Sequence, residues 1–253
     1  PGKQKQYYRQ VFIMTPNRGR NLMNIPHTEL PGNAERFHPE NIQPHAESPL
    51  KGKTIIYLGS SVTYGSDSLG VSFVEYIDRL NGSTSVKEAV SGTTLATKDD
   101  ASGSSYIPRM KTINPDIPAD AFICQLSTND ATRHMPLGTI SEGFALADFD
   151  TETVTGAIEY IIAYAGKTWH CPVLFYTGTR FDCEKYGEMV KLLLEIQKKW
   201  KIGVIDLWND EALHAISEKD YNLYMSNPIH PTQAGYLLWW VPAMETYLYE
   251  FLK

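Results

Sequence analysis

The chain contains the stretch Ile55-Ile56-Tyr57-Leu58-Gly59-Ser60-Ser61-Val62-Thr63-Tyr64-Gly65, which decides its fold. Four apolar residues of high strand propensity are followed at once by a glycine and two serines. That order predicts a buried parallel strand that breaks into a tight turn, where open α/β sheets place their ligand sites. A nucleophilic serine suits this position if the chain also supplies a base.

After the first fifty residues the sequence alternates between strand-like and helix-like segments, which is typical of a parallel sheet covered by helices on both faces. Apolar residues recur at three-four spacing in the segments that begin near Phe73, Val154 and Tyr186, so three amphipathic helices are predicted. A last helix is expected over residues 233–252, bent or split at Pro242, which cannot donate an intrahelical hydrogen bond. Five strands are predicted, at residues 53–59, 85–90, 120–126, 172–177 and 202–207.

Residues 1–50 differ in composition from the rest, because they hold seven of the fifteen prolines and little sustained periodicity. We interpret them as an extended arm and not as a separate domain. The apolar residues within Tyr7-Tyr8 and Val11-Phe12-Ile13-Met14 predict a short strand or helix. This element would pack against the main domain, or against another subunit in a homo-oligomer.

Charge and hydropathy argue against two classes of function. The formal net charge of −6 disfavours a polyanion as the main ligand, because nucleic-acid-binding proteins usually present a concentrated basic face. A membrane-spanning helix needs about 18 apolar residues in a row, and no run in the chain approaches that length. We therefore expect neither a nucleic-acid partner nor a membrane-embedded segment.

The cysteines and the start of the chain bear on its compartment. Cys124, Cys171 and Cys183 match neither the spacing of a zinc site nor a disulfide framework, so free thiols and no metal are expected. No charged start followed by an apolar signal core is visible, which favours the cytoplasm. Secretion stays open, because the chain begins at Pro1 without a methionine, as it would after removal of a leader.

Two residues follow predicted strands and so fall at the same sheet edge as Ser61. Gly92, in Val90-Ser91-Gly92-Thr93-Thr94, has no side chain and could bring its backbone N–H close to an oxyanion; a turn glycine is the alternative. Asn129 follows the third strand, and its amide could donate a hydrogen bond to the same oxygen. Asn-Asp after a strand is also ordinary turn chemistry.

A candidate base lies just ahead of the last predicted helix. His230 occurs in Ser226-Asn227-Pro228-Ile229-His230-Pro231-Thr232. An imidazole titrates near neutrality, so it can take the proton of a serine hydroxyl during attack and return it to the leaving group. A lone histidine is usually structural, but its place in an ordered set with Ser61, Gly92 and Asn129 favours a functional role.

These blocks resemble those of the SGNH, or GDSL, hydrolases over roughly residues 53–250. Gly59-Ser60-Ser61-Val62-Thr63 is similar to the family's Gly-Asp-Ser-Ile-Thr block, whose third residue is the nucleophile. The resemblance implies a three-layer α/β/α, flavodoxin-like fold with a five-stranded parallel sheet in the order 2-1-3-4-5. It also implies that residues 51–253 form the catalytic domain.

The resemblance further assigns roles to individual residues. It implies that Ser61 is the nucleophile and His230 the base. It also implies an oxyanion hole made of the Ser61 and Gly92 backbone N–H groups and the Asn129 side chain.

One residue departs from the family pattern. The family commonly has an aspartate three residues before the histidine, whereas this chain has Asn227. An asparagine can accept the imidazole N–H bond but provides no negative charge, and in the serine-protease triad the corresponding replacement lowers turnover about 10⁴-fold. A water, a backbone carbonyl or another acid could serve His230 instead, and Asp206 and Asp210 are the nearest acids in the sequence. If the missing charge limits catalysis, Asn227→Asp should raise turnover.

The longest connection in the main domain is predicted between Asp130 and Asp150, where periodic signals are few. Long loops that follow a strand often form a wall or lid of a ligand site. We therefore expect this segment to border the substrate.

Together these observations predict a serine esterase that acts through an acyl-enzyme on Ser61. The resemblance to the family further implies small acyl esters as substrates, with acetyl esters of carbohydrates as the expected example. The expected partner is a small-molecule ester, and neither a metal nor an organic cofactor is required. Two alternatives use the same residues. One is an acyltransferase that passes the acyl group to an alcohol other than water. The other is a non-catalytic ligand-binding protein, which Asn227 would explain.

Overall fold

The computed structural model describes residues 25–252 and contains a five-stranded parallel sheet. The strands are β1 (Thr54–Gly59), β2 (Thr84–Ala89), β3 (Ala121–Gln125), β4 (Val173–Tyr176) and β5 (Gly203–Ile205). They lie in the order β2-β1-β3-β4-β5, so the predicted topology is confirmed. Every strand also begins and ends within two residues of its predicted bounds.

Helices cover the sheet. They are α1 (Ser61–Tyr64), α2 (Phe73–Asn81), α3 (Tyr106–Met110), α4 (Thr128–Thr132), α5 (Val154–Trp169), α6 (Glu184–Trp200), α7 (Glu211–His214), α8 (Glu218–Tyr224), α9 (Gln233–Gly235) and α10 (Val241–Phe251). The three predicted amphipathic helices correspond to α2, α5 and α6. Within residues 25–252, no helix combines the length and the apolar character needed to cross a bilayer.

Each face of the sheet carries its own apolar cluster, because alternate residues of a strand point to opposite faces. Ile55 and Tyr57 of β1 pack with α2 and α10, whereas Ile56 and Leu58 pack with α5 and α6. All four side chains are fully buried. The uninterrupted apolar run of β1 therefore reflects a central strand that is covered on both sides.

The parallel register determines where the site can form. Gly59 at the end of β1 pairs with Ala89 at the end of β2, and Leu58 pairs with Cys124 near the end of β3. The segments that leave these three strands consequently emerge side by side at one edge of the sheet. This edge carries the residues that follow Gly59, Ala89 and Gln125.

The sequence predicted a bend or split of the last helix at Pro242, but the interruption lies ahead of that proline. The five residues Tyr236–Trp240 between α9 and α10 form a π-helical turn, in which the Val241 N–H donates to the Tyr236 carbonyl five residues earlier. The turn ends two residues before Pro242, which has no N–H to continue the α-helical pattern. The helix therefore adapts before the proline rather than at it.

Residues 25–50 form four short 3₁₀ turns that lie against the main domain. They span His27–Glu29, Pro31–Asn33, Glu35–Phe37 and Pro39–Asn41. Leu30, Phe37 and Leu50 are buried, and the Tyr76 hydroxyl of α2 donates to the Phe37 carbonyl at 2.7 Å. The strand or helix predicted within residues 7–14 lies outside the described residues.

The long connection between α4 and α5 is attached to helices over much of its length. Lys199 Nζ of α6 donates to the carbonyl oxygens of Ser141 and Gly143 and to the buried Glu159 carboxylate, each at 2.6 Å. The first residues of the connection instead lie near the predicted site, because the Arg133 guanidinium is beside Gly92. That the segment borders the substrate stays a prediction, which the position of Arg133 supports for its first residues.

Candidate active site

The turn after β1 is held in place by a buried glutamine. Gln125 Oε1, at the end of β3, accepts hydrogen bonds from Ser60 N at 2.9 Å and from Thr63 Oγ1 at 2.8 Å. Gly59 allows the Thr63 side chain to pack against the end of β1, since a Cβ atom added at Gly59 would lie 1.7 Å from Thr63 Oγ1. The chain can therefore pass directly from β1 into α1, with Ser61 as the first residue of the helix.

Ser61 and His230 form a hydrogen-bonded pair. Ser61 Oγ lies 2.8 Å from His230 Nε2, although the two residues are 169 positions apart in the sequence. Ser61 is 7% exposed, and the side chain of His230 is 22% exposed. The pair is therefore largely removed from water but still reachable from it.

Asn227 faces the other nitrogen of the imidazole. Its Oδ1 lies 3.0 Å from His230 Nδ1 and accepts hydrogen bonds from the backbone N–H groups of Ile229 and His230, both at 3.0 Å. An acceptor at Nδ1 favours the tautomer in which Nδ1 carries the proton. In that tautomer the lone pair of Nε2 points to the Ser61 hydroxyl, as a general base requires.

Behind Asn227 lies an acid that was not singled out in the sequence. Asp67 Oδ2 accepts hydrogen bonds from Asn227 Nδ2 and Ser226 Oγ, both at 2.8 Å, and lies 3.9 Å from His230 Nδ1. No local pattern marks this residue, because it follows α1 and meets Asn227 across 160 positions of sequence. Only the folded arrangement reveals the contact.

The two acids that the sequence offered as partners of His230 lie elsewhere. Asp206 accepts hydrogen bonds from the backbone and the side chain of Asn209. Asp210 accepts a hydrogen bond from the Leu213 N–H and thereby caps α7. Neither shares a hydrogen bond with His230, so the proposal that one of them serves the imidazole is wrong. The carboxylate near the imidazole is that of Asp67, whose Oδ2 lies 3.9 Å from His230 Nδ1.

The predicted oxyanion residues lie along the same edge of the sheet. Gly92 adopts a φ of 80°, a left-handed conformation that favours glycine. Asn129 Nδ2 donates one hydrogen bond to the carbonyl of Thr93, the neighbour of Gly92, at 2.9 Å. Among the described residues, the backbone N–H groups of Ser61 and Gly92 have no protein acceptor. These two groups and the second amide hydrogen of Asn129 are therefore available to a ligand.

Two buried charged residues hold the loop that carries Gly92. Arg109 donates from Nη2 to the Gly59 carbonyl at 2.8 Å and to Thr93 Oγ1 at 2.9 Å, and so ties the end of β1 to the loop. Asp130 accepts from the N–H groups of Leu95 and Ala96, at 2.8 and 2.9 Å. Burial raises the pKa of Asp130 to about 6. Sequence motifs do not mark either supporting role.

The electrostatic environment of His230 is a balance of three influences. Burial is the largest, and it lowers the pKa of the imidazole from its ordinary value of 6.5. The negative charge of Asp67 acts in the opposite direction, and His27 adds to the lowering. His230 is consequently neutral, and able to accept a proton, at pH 7.

A polar cavity lies beside the oxyanion residues. It has a volume of about 330 Å³. Its lining consists of Thr93, Thr94, Lys98, Asp99, Asp100, Ser102, Ser104, Arg133 and Met135. Met135 is the single apolar member of this set, so the cavity suits a hydrophilic group.

Among residues 25–252, no three His, Cys, Asp or Glu side chains are grouped closely enough to ligate one metal ion.

A serine hydroxyl that is hydrogen-bonded to an imidazole and lies next to unpaired backbone N–H groups is the arrangement found in serine hydrolases. Here it sits at the carboxyl edge of a parallel α/β sheet. Residues 57–238 match the GDSL-like Lipase/Acylhydrolase family, and the chain belongs to this family. The resemblance inferred from the sequence blocks is thereby confirmed, and membership supports a hydrolase of ester type.

Solved structures share this fold. A protein from Lactobacillus plantarum is 18% identical with a TM-score of 0.63, and the match covers 80% of this chain and 97% of that one. A protein from Bacteroides ovatus described as a GDSL-like lipase is 19% identical with a TM-score of 0.59, covering 79% and 99%. A member of the lipolytic G-D-S-L family from Veillonella parvula is 20% identical with a TM-score of 0.53, covering 79% and 97%. No curated protein matches the chain.

Proposed function

We propose that the protein is a serine esterase that removes small acyl groups, acetyl above all, from polar alcohols such as carbohydrates. The observation that carries this function is the 2.8 Å contact between Ser61 Oγ and His230 Nε2. The oxygen of a serine becomes a useful nucleophile when a neighbouring base removes its proton, and His230 is placed and oriented to do so.

The proposed reaction begins when Ser61 Oγ attacks the ester carbonyl carbon while its proton passes to His230 Nε2. The N–H groups of Ser61 and Gly92 and the Asn129 amide stabilise the negative charge on the carbonyl oxygen. The ester C–O bond then breaks, and the imidazolium returns its proton to the departing alcohol. Water activated by His230 attacks the acyl-enzyme, releasing the acid and restoring the Ser61 hydroxyl.

The polar cavity supports the substrate class. It opens next to Gly92, because Arg133 contributes to its lining and lies beside that glycine. Sites for long acyl chains are lined mainly by apolar side chains, whereas this lining is almost entirely hydroxyl-bearing or charged. A short acyl group on a hydroxylated alcohol fits these surroundings better than a fatty-acid ester.

The test uses p-nitrophenyl acetate, butyrate and octanoate with the wild type, Ser61→Ala and Ser60→Ala. We expect the wild type to prefer acetate and Ser61→Ala to show only the background rate, because it lacks the nucleophile. Ser60→Ala is the matched control, since the hydrogen bond from the Ser60 hydroxyl to Gln125 Oε1 is long, at 3.3 Å, and it should keep most of the activity. A serine-directed phosphonate should label the wild type at Ser61.

Two results would favour the alternatives. Equal background rates for the wild type and Ser61→Ala, with no labelling of Ser61, would indicate a ligand-binding protein. Faster release of p-nitrophenol on addition of sugar acceptors, together with acylated sugar in place of free acid, would indicate an acyltransferase.

A further inference from the structure

The orientation of the Asn227 amide is dictated from both ends. Its oxygen faces three N–H donors, namely the backbone of Ile229, the backbone of His230 and His230 Nδ1. Its nitrogen faces the Asp67 carboxylate, which can only accept. A flipped amide would point N–H groups at donors and an oxygen at a carboxylate. Asp67 therefore helps to fix Asn227 as an acceptor for the imidazole.

The Asp67 carboxylate is itself confined. Its side chain is 12% exposed. Its position is fixed by the hydroxyl of Ser226 and by the Asn33 amide, which donates to the Asp67 backbone carbonyl at 2.7 Å. The nearest basic side chain besides His230 is His27, whose Nε2 lies 3.8 Å from Asp67 Oδ2. Asp67 is thus a negative charge held 3.9 Å from the imidazole it would serve.

We propose that Asp67 is the positioning acid of the active site and acts on His230 through the amide of Asn227. This inference rests on the proposed esterase function. The chain Ser61–His230–Asn227–Asp67 would place the negative charge one residue further from the histidine than a direct His-Asp contact does. The charge that Asn227 cannot supply then comes from a different loop of the fold.

The proton movements explain why the charge matters. When Ser61 attacks the ester, its proton moves to His230 Nε2 and the imidazole becomes a cation. The Asp67 carboxylate stabilises that cation, while Asn227 keeps both of its amide protons. A carboxylate at the end of a hydrogen-bonded chain also polarises the amide, which makes the Asn227 oxygen a stronger acceptor. No group beyond the serine and the histidine exchanges a proton during attack.

The critical experiment moves the carboxylate from position 67 to position 227. Asp67→Asn removes the charge at nearly constant shape. It should lower kcat about 10- to 100-fold with little change in KM, by analogy with the outer partners that orient a metal-ligating histidine. The double variant Asp67→Asn/Asn227→Asp puts the carboxylate directly against the imidazole and should restore kcat to the wild-type level or above.

Asn227→Asp alone gives a different expectation from the one drawn from sequence. It would set two carboxylates at hydrogen-bonding distance, and like charges that close cannot both remain ionised at ordinary pH. One would keep a proton, so we expect kcat below that of the double variant. Asp206→Asn is the matched control, since it removes a carboxylate that shares no hydrogen bond with His230, and it should leave kcat unchanged.

A titration of the histidine by NMR provides a readout that does not depend on substrate. Two groups besides Ser61 and Asn227 influence His230, namely Asp67, which raises its pKa, and His27, which lowers it. Asp67→Asn should therefore lower the pKa of His230 further, and the acidic limb of the kcat/KM profile should move to lower pH. The double variant should raise that pKa again.

Several outcomes would overturn the role of Asp67. One is an Asp67→Asn enzyme with wild-type kcat and an unchanged His230 pKa. Another is a loss of kcat that the double variant does not recover, because Asp67 would then only hold its loop. Should Asp67→Asn fail to fold, Asn227→Ala removes the amide that connects His230 to Asp67 and leaves the acid in place. A wild-type rate in that variant would equally refute the positioning role of Asp67.

Failure of the esterase function can be told apart from failure of the positioning role of Asp67. If the wild type hydrolyses no ester but its His230 pKa responds to Asp67→Asn as expected, the positioning role stands and the esterase function is wrong. If the wild type hydrolyses p-nitrophenyl acetate through Ser61 but Asp67→Asn changes neither kcat nor the pKa of His230, the esterase function stands and the positioning role is wrong.

Discussion

A buried imidazole stays unprotonated to lower pH than an exposed one, because burial penalises its charged form. This is the state of His230, whose pKa is lowered mainly by burial. The neutral form is the base, so activity should be lost as the pH falls through the lowered pKa. We expect the acidic limb of kcat/KM, measured with p-nitrophenyl acetate, to lie below pH 6.5, the ordinary value for histidine. A limb clearly above that pH would show that the charge of Asp67 outweighs burial.

Asn129 offers a second test at a single residue. Its side chain is anchored to the Thr93 carbonyl and has one amide hydrogen left for an oxyanion. Asn129→Ala should lower kcat by about 10²- to 10³-fold, the usual effect of removing one oxyanion donor, with a much smaller change in KM. Asn222→Ala, in α8, is a suitable control and should retain activity. A KM effect without a kcat effect would instead assign Asn129 to substrate binding.

Individual site residues were predictable where chemistry and position coincide locally. Ser61, Gly92 and Asn129 each follow a strand, and His230 precedes a helix, so a parallel sheet brings them to one edge. Asp67 lacks such a signal. Its proposed role depends on the amide orientation of Asn227 and on a contact between segments 160 residues apart, and neither follows from spacing along the chain.

The turn between β1 and α1 can be tested as an element. A Cβ atom at Gly59 would overlap Thr63 Oγ1 and approach Gln125 Oε1 to 2.8 Å. Gly59→Ala should therefore destabilise the protein by about 3 kcal/mol and displace Ser61, since overpacking forces side chains and backbone apart. Urea unfolding and the hydrolysis rate measure the two effects.

Gly166 in α5 is the matched control for that substitution. Nothing lies within 4 Å of a Cβ atom placed there. Gly166→Ala should stabilise the protein by up to about 1 kcal/mol, because alanine is the better helix former, and leave activity unchanged. Equal effects of the two substitutions would contradict the close approach at Gly59.

Long elements were predictable and short ones were not. The strands and the helices α2, α5 and α6 carry enough periodic apolar residues to be read from the sequence. The helices α3, α4, α7 and α8 have four to seven residues each, too few to be stable alone, and tertiary contacts hold them. The π-helical turn before Pro242 also escaped prediction, because a proline shows where a helix must adapt but not how.

At the scale of the molecule, residues 25–50 support both halves of the site. Asn33 is 5% exposed. It donates to the Asp67 carbonyl at 2.7 Å and accepts from the Gln233 N–H at 2.9 Å, so one side chain ties the loop after α1 to the start of α9. Sequence composition predicted an arm here, but the connection of two distant loops through one amide depends on the packed structure.

Asn33→Ala should therefore weaken stability and catalysis together. It leaves buried partners without their hydrogen bonds, which costs about 1–3 kcal/mol of unfolding free energy. Chemical denaturation followed by fluorescence would measure the loss, and kcat should fall because both loops gain freedom. Asn41→Ala is the control, since its amide bonds only within the exposed turn at Glu35, and it should alter neither quantity.

The link between Asn33 and Gln233 spans 200 residues, and the contact between Ser61 and His230 spans 169. Closing such large loops is entropically unfavourable and slow compared with forming local contacts. Regain of hydrolysis after dilution from denaturant should therefore trail the recovery of helical circular dichroism. Enzymatic turnover would then report the last step of folding, in which the segments around Asn33 and Ser61 meet those around Gln233 and His230.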